Sequence, residues 1–303
     1  MKTIFRFFFL LLLPCASIAS SPRWGFFLPD SVAEMTIQYR AIKGLIILPF
    51  TINDSIQVNL ILDTGCRNLI LFGKRFRKLF KVSPGKSIEF SGLGNGDPVT
   101  GRISLGNKVS MNEVLGEQIP VILVNSRNIF SNYADVHGVI GYDIFLKFEI
   151  ELNARTRTII FRPALKSMVP FGYSAIPLQI IDARPMLQSQ IHLNGNGPFL
   201  CELMIDTGSA LGLLVKTTNM RKFLPYDNKV EKVLGKGFNG LITGFETISQ
   251  KLVLLGLEIH SVPTGIVATP WHNSMSIGME VLKDYIVILN YCKAYACFKS
   301  NAS

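Results

Sequence analysis

The sequence predicts a mostly β protein made of two similar β-barrel-like lobes, each with one short helix near its end. Three observations carry this. Val, Ile, Leu and Phe occur in short apolar runs broken by Gly, Asn and Pro, the punctuation of many short strands. The same order of elements occurs twice along the 303 residues. Both copies carry Asp-Thr-Gly at the end of an apolar run, as Asp63-Thr64-Gly65 after Val58 to Leu62 and as Asp206-Thr207-Gly208 after Leu203 to Ile205.

At the N-terminus, Lys2 and Arg6 supply positive charge, Ile4 to Leu13 an apolar core, and Ser17-Ile18-Ala19 a small-residue cleavage site. Residues 1–19 therefore read as a secretory signal, and the mature protein is expected in the periplasm or outside the cell. The apolar stretch is short for a membrane span. Cys15 after Leu12-Leu13-Pro14 only loosely resembles a lipoprotein signal, and the proline weakens it. Residues 20–170 form the expected first lobe and residues 171–303 the second.

Each half reads as one unit. An alternating strand opens it, with Ile46, Leu48, Phe50 and Ile52 in one half and Leu187, Ser189, Ile191 and Leu193 in the other. A turn follows, at Asn53-Asp54 or Asn194-Gly195-Asn196-Gly197, and then the strand that delivers Asp-Thr-Gly. A Gly-rich hairpin comes next, at Gly92-Leu93-Gly94-Asn95-Gly96 or Gly235-Lys236-Gly237. Further strands lead to an Ile-Gly pair and a short helix, at about Tyr142 to Phe148 or Met279 to Tyr285. A closing hairpin ends the unit, Glu149 to Phe161 or Ile286 to Phe298. Asp63 and Asp206 are 143 residues apart, as are Thr100 and Thr243, while Ile140-Gly141 and Ile277-Gly278 are 137 apart. Pro163, Pro170, Gly172 and Pro177 mark the join.

A carboxylate at the end of a buried strand is costly unless something uses it. Two such carboxylates, one per half, are expected to meet. At close range they cannot both ionise, so one keeps a proton and the pair serves as acid and base together.

These residues resemble those of the aspartic peptidases. Leu62-Asp63-Thr64-Gly65-Cys66 looks like the active-site loop of pepsin-like enzymes, where a serine usually follows the glycine. Ile205-Asp206-Thr207-Gly208-Ser209 fits without substitution. Val139-Ile140-Gly141 and Ser276-Ile277-Gly278 look like the apolar-apolar-glycine element beside each loop. The resemblance runs from about Leu45 to Phe298. Each half is about as long as a retropepsin-type unit, and both keep a hairpin at the flap position. The chain thus looks like two retropepsin-type units fused in one polypeptide, as in the exported bacterial retropepsin-like proteins. The implied fold is the bilobal acid-protease fold with pseudo-two-fold symmetry, active as a monomer because the dyad is complete in one chain.

The resemblance implies an aspartic endopeptidase in which Asp63 and Asp206 share a water and one proton, acting on a peptide or protein substrate without metal or other cofactor. Thr64 and Thr207 would brace the loops across the lobe interface. Gly65 and Gly208 would let backbone amides reach the carboxylates, and Ser209 would donate to Asp206. Cys66 is a weaker donor than serine, so Asp63 is expected to be less stabilised as an anion and activity to lie at a less acidic pH than pepsin's. The flaps, Gly92, Leu93 and Gly94 with Gly235, Lys236 and Gly237, would close over substrate and pair with its backbone. No equivalent of the pepsin flap tyrosine can be placed.

The net charge of +10 favours acidic partners or membrane surfaces, without any nucleic-acid motif. The cluster Lys74 to Lys81 fits either a basic helix at an anionic membrane, giving peripheral association, or a solvated helix with Phe76, Leu79 and Phe80 inward. The latter is the expectation. Cys292 and Cys297 flank a hairpin tip and are open to either a disulfide or two free thiols. His137, His192, His260 and His272 are scattered, and no zinc spacing occurs. Two other readings stand beside the enzyme: a non-catalytic peptide-binding module on the same fold, and a cell-envelope structural protein. The second leaves two buried carboxylates unexplained.

Overall fold

The computed structural model describes residues 23–90, 92–125, 133, 135–193, 196–219, 223, 230–269 and 274–301. The signal segment, Cys15 and part of the second predicted turn lie outside these residues. The chain is mostly β, in a two-lobed arrangement of three sheets.

In the first lobe the alternating strand is Leu45–Ile52 and the strand carrying the first triplet is Ile56–Leu62. They form a hairpin through Asn53 and Asp54, whose backbones are left-handed at φ 48° and 61°. Asn and Asp tolerate that region better than other side-chain-bearing residues do. The Ile-Gly strand Gly138–Ile140 runs parallel to Ile56–Leu62 and antiparallel to Leu69–Phe72. Leu69–Phe72 runs parallel to Val114–Val124, which forms a long hairpin with Val99–Met111. Val99–Met111 then pairs back onto Leu45–Ile52, so the sheet closes into a ring.

The second lobe repeats these pairings with the same senses. Asn196–Ile205 is antiparallel to Arg184–Leu193 and parallel to Ser274–Ile277. Leu213–Thr217 is antiparallel to Ser274–Ile277 and parallel to Leu257–Ala268. Gly240–Leu254 pairs with Leu257–Ala268 and with Arg184–Leu193, which closes the second ring. The alternation places Ile46, Leu48, Phe50 and Ile52, and Leu187, Ile191 and Leu193, in the core.

A third sheet of six strands joins the lobes. Its centre is the pair Phe148–Asn153 and Tyr285–Asn290, one strand from each half, antiparallel with Glu151 opposite Ile288. Those two residues are 137 apart, the offset of the sequence repeat in this region. Each hairpin is flanked by a strand from the start of one half: Thr158–Pro163 pairs with Met35–Gln38, and Tyr295–Ser300 with Ala175–Pro177. The stretch before Leu45 is thus built into the fold as strands Gly25–Phe27, Met35–Gln38 and Arg40–Ile42.

Two expectations are corrected, and the open question of Cys292 and Cys297 is decided. The short helices are single turns, Tyr142–Phe145 and Met279–Leu282, because Phe148 and Tyr285 are drawn into the joining sheet. The basic cluster forms a 3-10 turn, Lys74–Lys78, which buries Phe76 and Phe80 but leaves Leu79 exposed. At three residues per turn the inward positions differ from those of an α-helix. Cys292 and Cys297 are free thiols. Cys297 lies within its strand opposite Ile288, while Cys292 sits in the turn and donates to the Leu146 carbonyl.

Candidate active site

Both triplets leave their strands at the contact between the lobes. The Asp63 N–H donates to Ile140 O and the Asp206 N–H to Ile277 O, each at 2.9 Å. The following glycines let the loops pack tightly on these strands. A Cβ on Gly141 would lie 1.8 Å from Cys66 O, and one on Gly278 would lie 2.4 Å from Leu211 O.

The threonines lock the two loops to each other. The Thr64 hydroxyl accepts the Thr207 N–H at 2.9 Å and donates to Ile205 O at 2.7 Å. The Thr207 hydroxyl accepts the Thr64 N–H at 3.1 Å and donates to Leu62 O at 2.8 Å. Both side chains are fully buried. The exchange satisfies backbone groups that would otherwise be orphaned where the strands end.

This lock holds the two carboxyl groups together. A point one bond from the Gly65 Cα lies 3.1 Å from Asp63 Oδ1 and 3.4 Å from Asp206 Oδ1. The equivalent point on Gly208 lies 2.2 Å from Asp63 Cγ, a position no side chain can occupy. Gly65 N–H donates to Asp63 at 2.7 Å and Gly208 N–H to Asp206 at 3.1 Å. Burial, and then the neighbouring Asp206, push the Asp63 carboxyl up to about 7. Burial raises Asp206 as well, but the Lys216 ammonium opposes that rise. The two groups have unequal surroundings, with a cation acting on Asp206, and the pair shares a proton.

The residues after the triplets behave differently from expectation. Cys66 Sγ is buried and donates to Asn68 O at 3.2 Å, and Ser209 Oγ accepts the Leu211 N–H at 3.3 Å. Among the described residues neither side chain hydrogen-bonds to a carboxylate, so the expected Ser209 donation to Asp206 is not made. Burial pushes the Cys66 thiol far up, which leaves it protonated.

The two Gly-rich hairpins meet at their tips. Ser87–Phe90 and the start of Val99–Met111 form the first, with Gly92, Leu93 and Gly94 in its tip. Lys232–Gly237 and the start of Gly240–Leu254 form the second. Its tip is Phe238-Asn239, so Gly235, Lys236 and Gly237 lie in one arm instead of the tip, a correction of the expected placement. Asn239 Oδ1 accepts the Gly94 N–H at 2.8 Å, and its Nδ2 donates to Gly94 O and Gly96 O at 2.9 Å. The Asn95 N–H adds a bond to Leu241 O at 3.1 Å. A Cβ on Gly94 would stand 2.6 Å from Gly240 N, and one on Gly96 2.0 Å from Asn239 O. Phe238 packs its ring 5.5 Å from Phe72 and 6.0 Å from Phe90.

Three residues near the dyad, and one at the hairpin tips, carry no motif. Arg184 begins its strand after a tight turn at Asp182 and Ala183, both left-handed. It donates to Gly65 O at 3.3 Å and pairs with Asp182 at 2.7 Å, and Asp182 also holds Arg67 at 2.5 Å. Lys216 sits on the strand following the second triplet. Asn239 is the tie between hairpins. Tyr291 stacks on Phe145 at 5.2 Å, its hydroxyl buried without a partner among the described residues. Only the charge of Lys216 at the end of an apolar run was a visible signal. Among the described residues no three His, Cys, Asp or Glu side chains converge as metal ligands. No protein-family model and no curated protein matches the chain.

Proposed function

We propose that this chain is an aspartic endopeptidase of the retropepsin-like type, hydrolysing peptide bonds with the Asp63 and Asp206 dyad. One observation carries the reading: two buried carboxyls from equivalent loops are held at one point by the reciprocal Thr64 and Thr207 bonds. Buried carboxyls are destabilising alone, and a pair sharing a proton is suited to activating water.

In this mechanism Asp206 is the base and Asp63 the acid. A water between them gives a proton to Asp206 while its oxygen attacks the scissile carbonyl carbon. Asp63 gives its proton to the carbonyl oxygen, forming a neutral gem-diol. Collapse then breaks the C–N bond. The amide nitrogen takes the proton from Asp206, and Asp63 recovers one from the gem-diol. No covalent bond to the protein forms.

The remaining elements fit this reading. The recurring pairings of the two rings, and Glu151 facing Ile288, support the bilobal acid-protease fold with approximate two-fold symmetry. The meeting hairpins are the flaps, and a peptide runs beneath them. Both aspartates come from one polypeptide, so the active species is a monomer. The N-terminal residue pattern supports export to the periplasm or beyond.

The test is cleavage of a denatured protein and a peptide library by wild type, Asp63→Asn and Asp206→Asn. Wild type is expected to cut and both variants to lose at least about a thousandfold in rate. Equal cleavage by all three would remove the assignment.

A further inference from the structure

Lys216 is a buried cation that the dyad chemistry does not consume. It is 7% exposed, yet among the described residues it makes no ion pair or side-chain hydrogen bond. Buried lysines are rare without a partner, because removing an ammonium from water is costly.

Its direction follows from its strand. Leu213 and Val215 point into the main core, and Leu214 points to the opposite face. Side chains two apart on a strand share a face, so Lys216 stands beside Leu214. Val267, directly opposite Lys216 on the neighbouring parallel strand, belongs to the same face. That face meets Ile242 and Leu234 of the second flap and Leu93 of the first flap's tip. The ammonium acts electrostatically on Asp206 and Arg184, which both lie at the cleft. Among the described residues Lys216 is thus a cation on an apolar face that meets both hairpins, on the Asp206 side.

We propose that Lys216 is a specificity residue: it selects substrates that place a carboxylate side chain, glutamate or aspartate, in the pocket between Asp206 and the second flap. The apolar face takes the methylenes and the ammonium takes the charge. Asp206 acts on the ammonium electrostatically, and a substrate carboxylate would add the direct ion pair that the described residues do not make. A neutral side chain there leaves the ammonium unpaired, and a lysine or arginine adds repulsion. The proposal rests on the peptidase reading above.

The experiment uses fluorogenic peptides identical except for Glu, Gln, Leu or Lys at one position, scanned across both sides of the cleaved bond. Wild type, Lys216→Met and Lys216→Gln are compared, with thermal melts to show that each is folded. At one position wild type is expected to prefer Glu over Leu by about tenfold or more in kcat/KM, the size of a charge-assisted contact. Both variants should bring that ratio to one or below, the ratio being read within each enzyme so that a general change of rate through Asp206 cancels. An unchanged ratio, or no position with an acidic preference, overturns the inference while leaving the peptidase reading intact. If wild type cuts nothing, the peptidase reading fails, and anisotropy titrations of the labelled Glu and Leu peptides decide the pocket. Selective weakening of Glu binding in Lys216→Met supports it, and equal binding overturns it.

Discussion

Thr64 and Thr207 each use one hydroxyl twice, accepting the other's N–H and donating to the carbonyl that precedes the other's aspartate. Neither loop can shift without breaking bonds in both lobes. Thr207→Val keeps the volume but strands a buried N–H and a buried carbonyl, each costing about 1–3 kcal/mol. Unfolding in denaturant should report a loss of about 3 kcal/mol, and the rate of cleavage should fall. Thr207→Ser, which restores the hydroxyl, should recover most of both.

The acid and base limbs of activity should bracket a mildly acidic window. The working dyad holds one proton, and the Asp63 carboxyl loses it near 7. Activity should therefore fall as pH rises through about 7. At the acid end, activity falls as Asp206 protonates. Lys216 lowers the Asp206 value, so Lys216→Met should move the acid limb to higher pH in a kcat/KM profile.

Stability should follow the same proton. The Asp63 carboxyl rises from the ordinary 3.8 in the folded protein, so the folded state binds the proton more tightly. Its contribution is fully present below about 4 and is lost as pH rises through about 7. The melting temperature should decline across that interval, and Asp63→Asn should flatten the decline.

Cys66→Ser should leave the alkaline limb where it is. The thiol donates to Asn68 O and not to Asp63, whose raised value comes from burial and from Asp206. A limb that moves by one unit or more would show that residue 66 speaks to the dyad after all.

Asn239 ties the two hairpin tips with one side chain, beside the single backbone bond from Asn95 to Leu241. Asn239→Ala removes three hydrogen bonds at a partly exposed site, so global stability should drop by no more than about 1 kcal/mol. Hydrogen exchange at the Gly94 amide, measured by mass spectrometry on peptides spanning the tip, should speed up markedly. Gly94→Ala should do the same through its 2.6 Å clash with Gly240 N.

The dyad and its lock were legible because they demand the same triplet twice, and the repeat supplied the register. The strands followed from alternation, as at Ile46 to Ile52. Within the second hairpin, expected at Gly235 to Gly240, the named residues Gly235, Lys236 and Gly237 fall in an arm because its glycines look alike in sequence. Only pairing tells the arm, Lys232–Gly237, from the turn at Phe238 and Asn239. The charge of Lys216 was visible but ambiguous, because a lysine closing Leu213-Leu214-Val215 looks like a strand leaving the core. Its burial arises from hairpins far away in the chain. The fate of Cys292 and Cys297 depended on a strand register that local spacing does not carry.

The pairing of Glu151 with Ile288 constrains how the two halves can evolve. Along that seam every rung joins a residue of one half to a residue of the other. An inserted or deleted residue in one closing hairpin would therefore misalign its counterpart too. Mutational drift between the halves should be freest in the flaps and outer turns, and slowest across the seam, where changes must arrive as matched pairs.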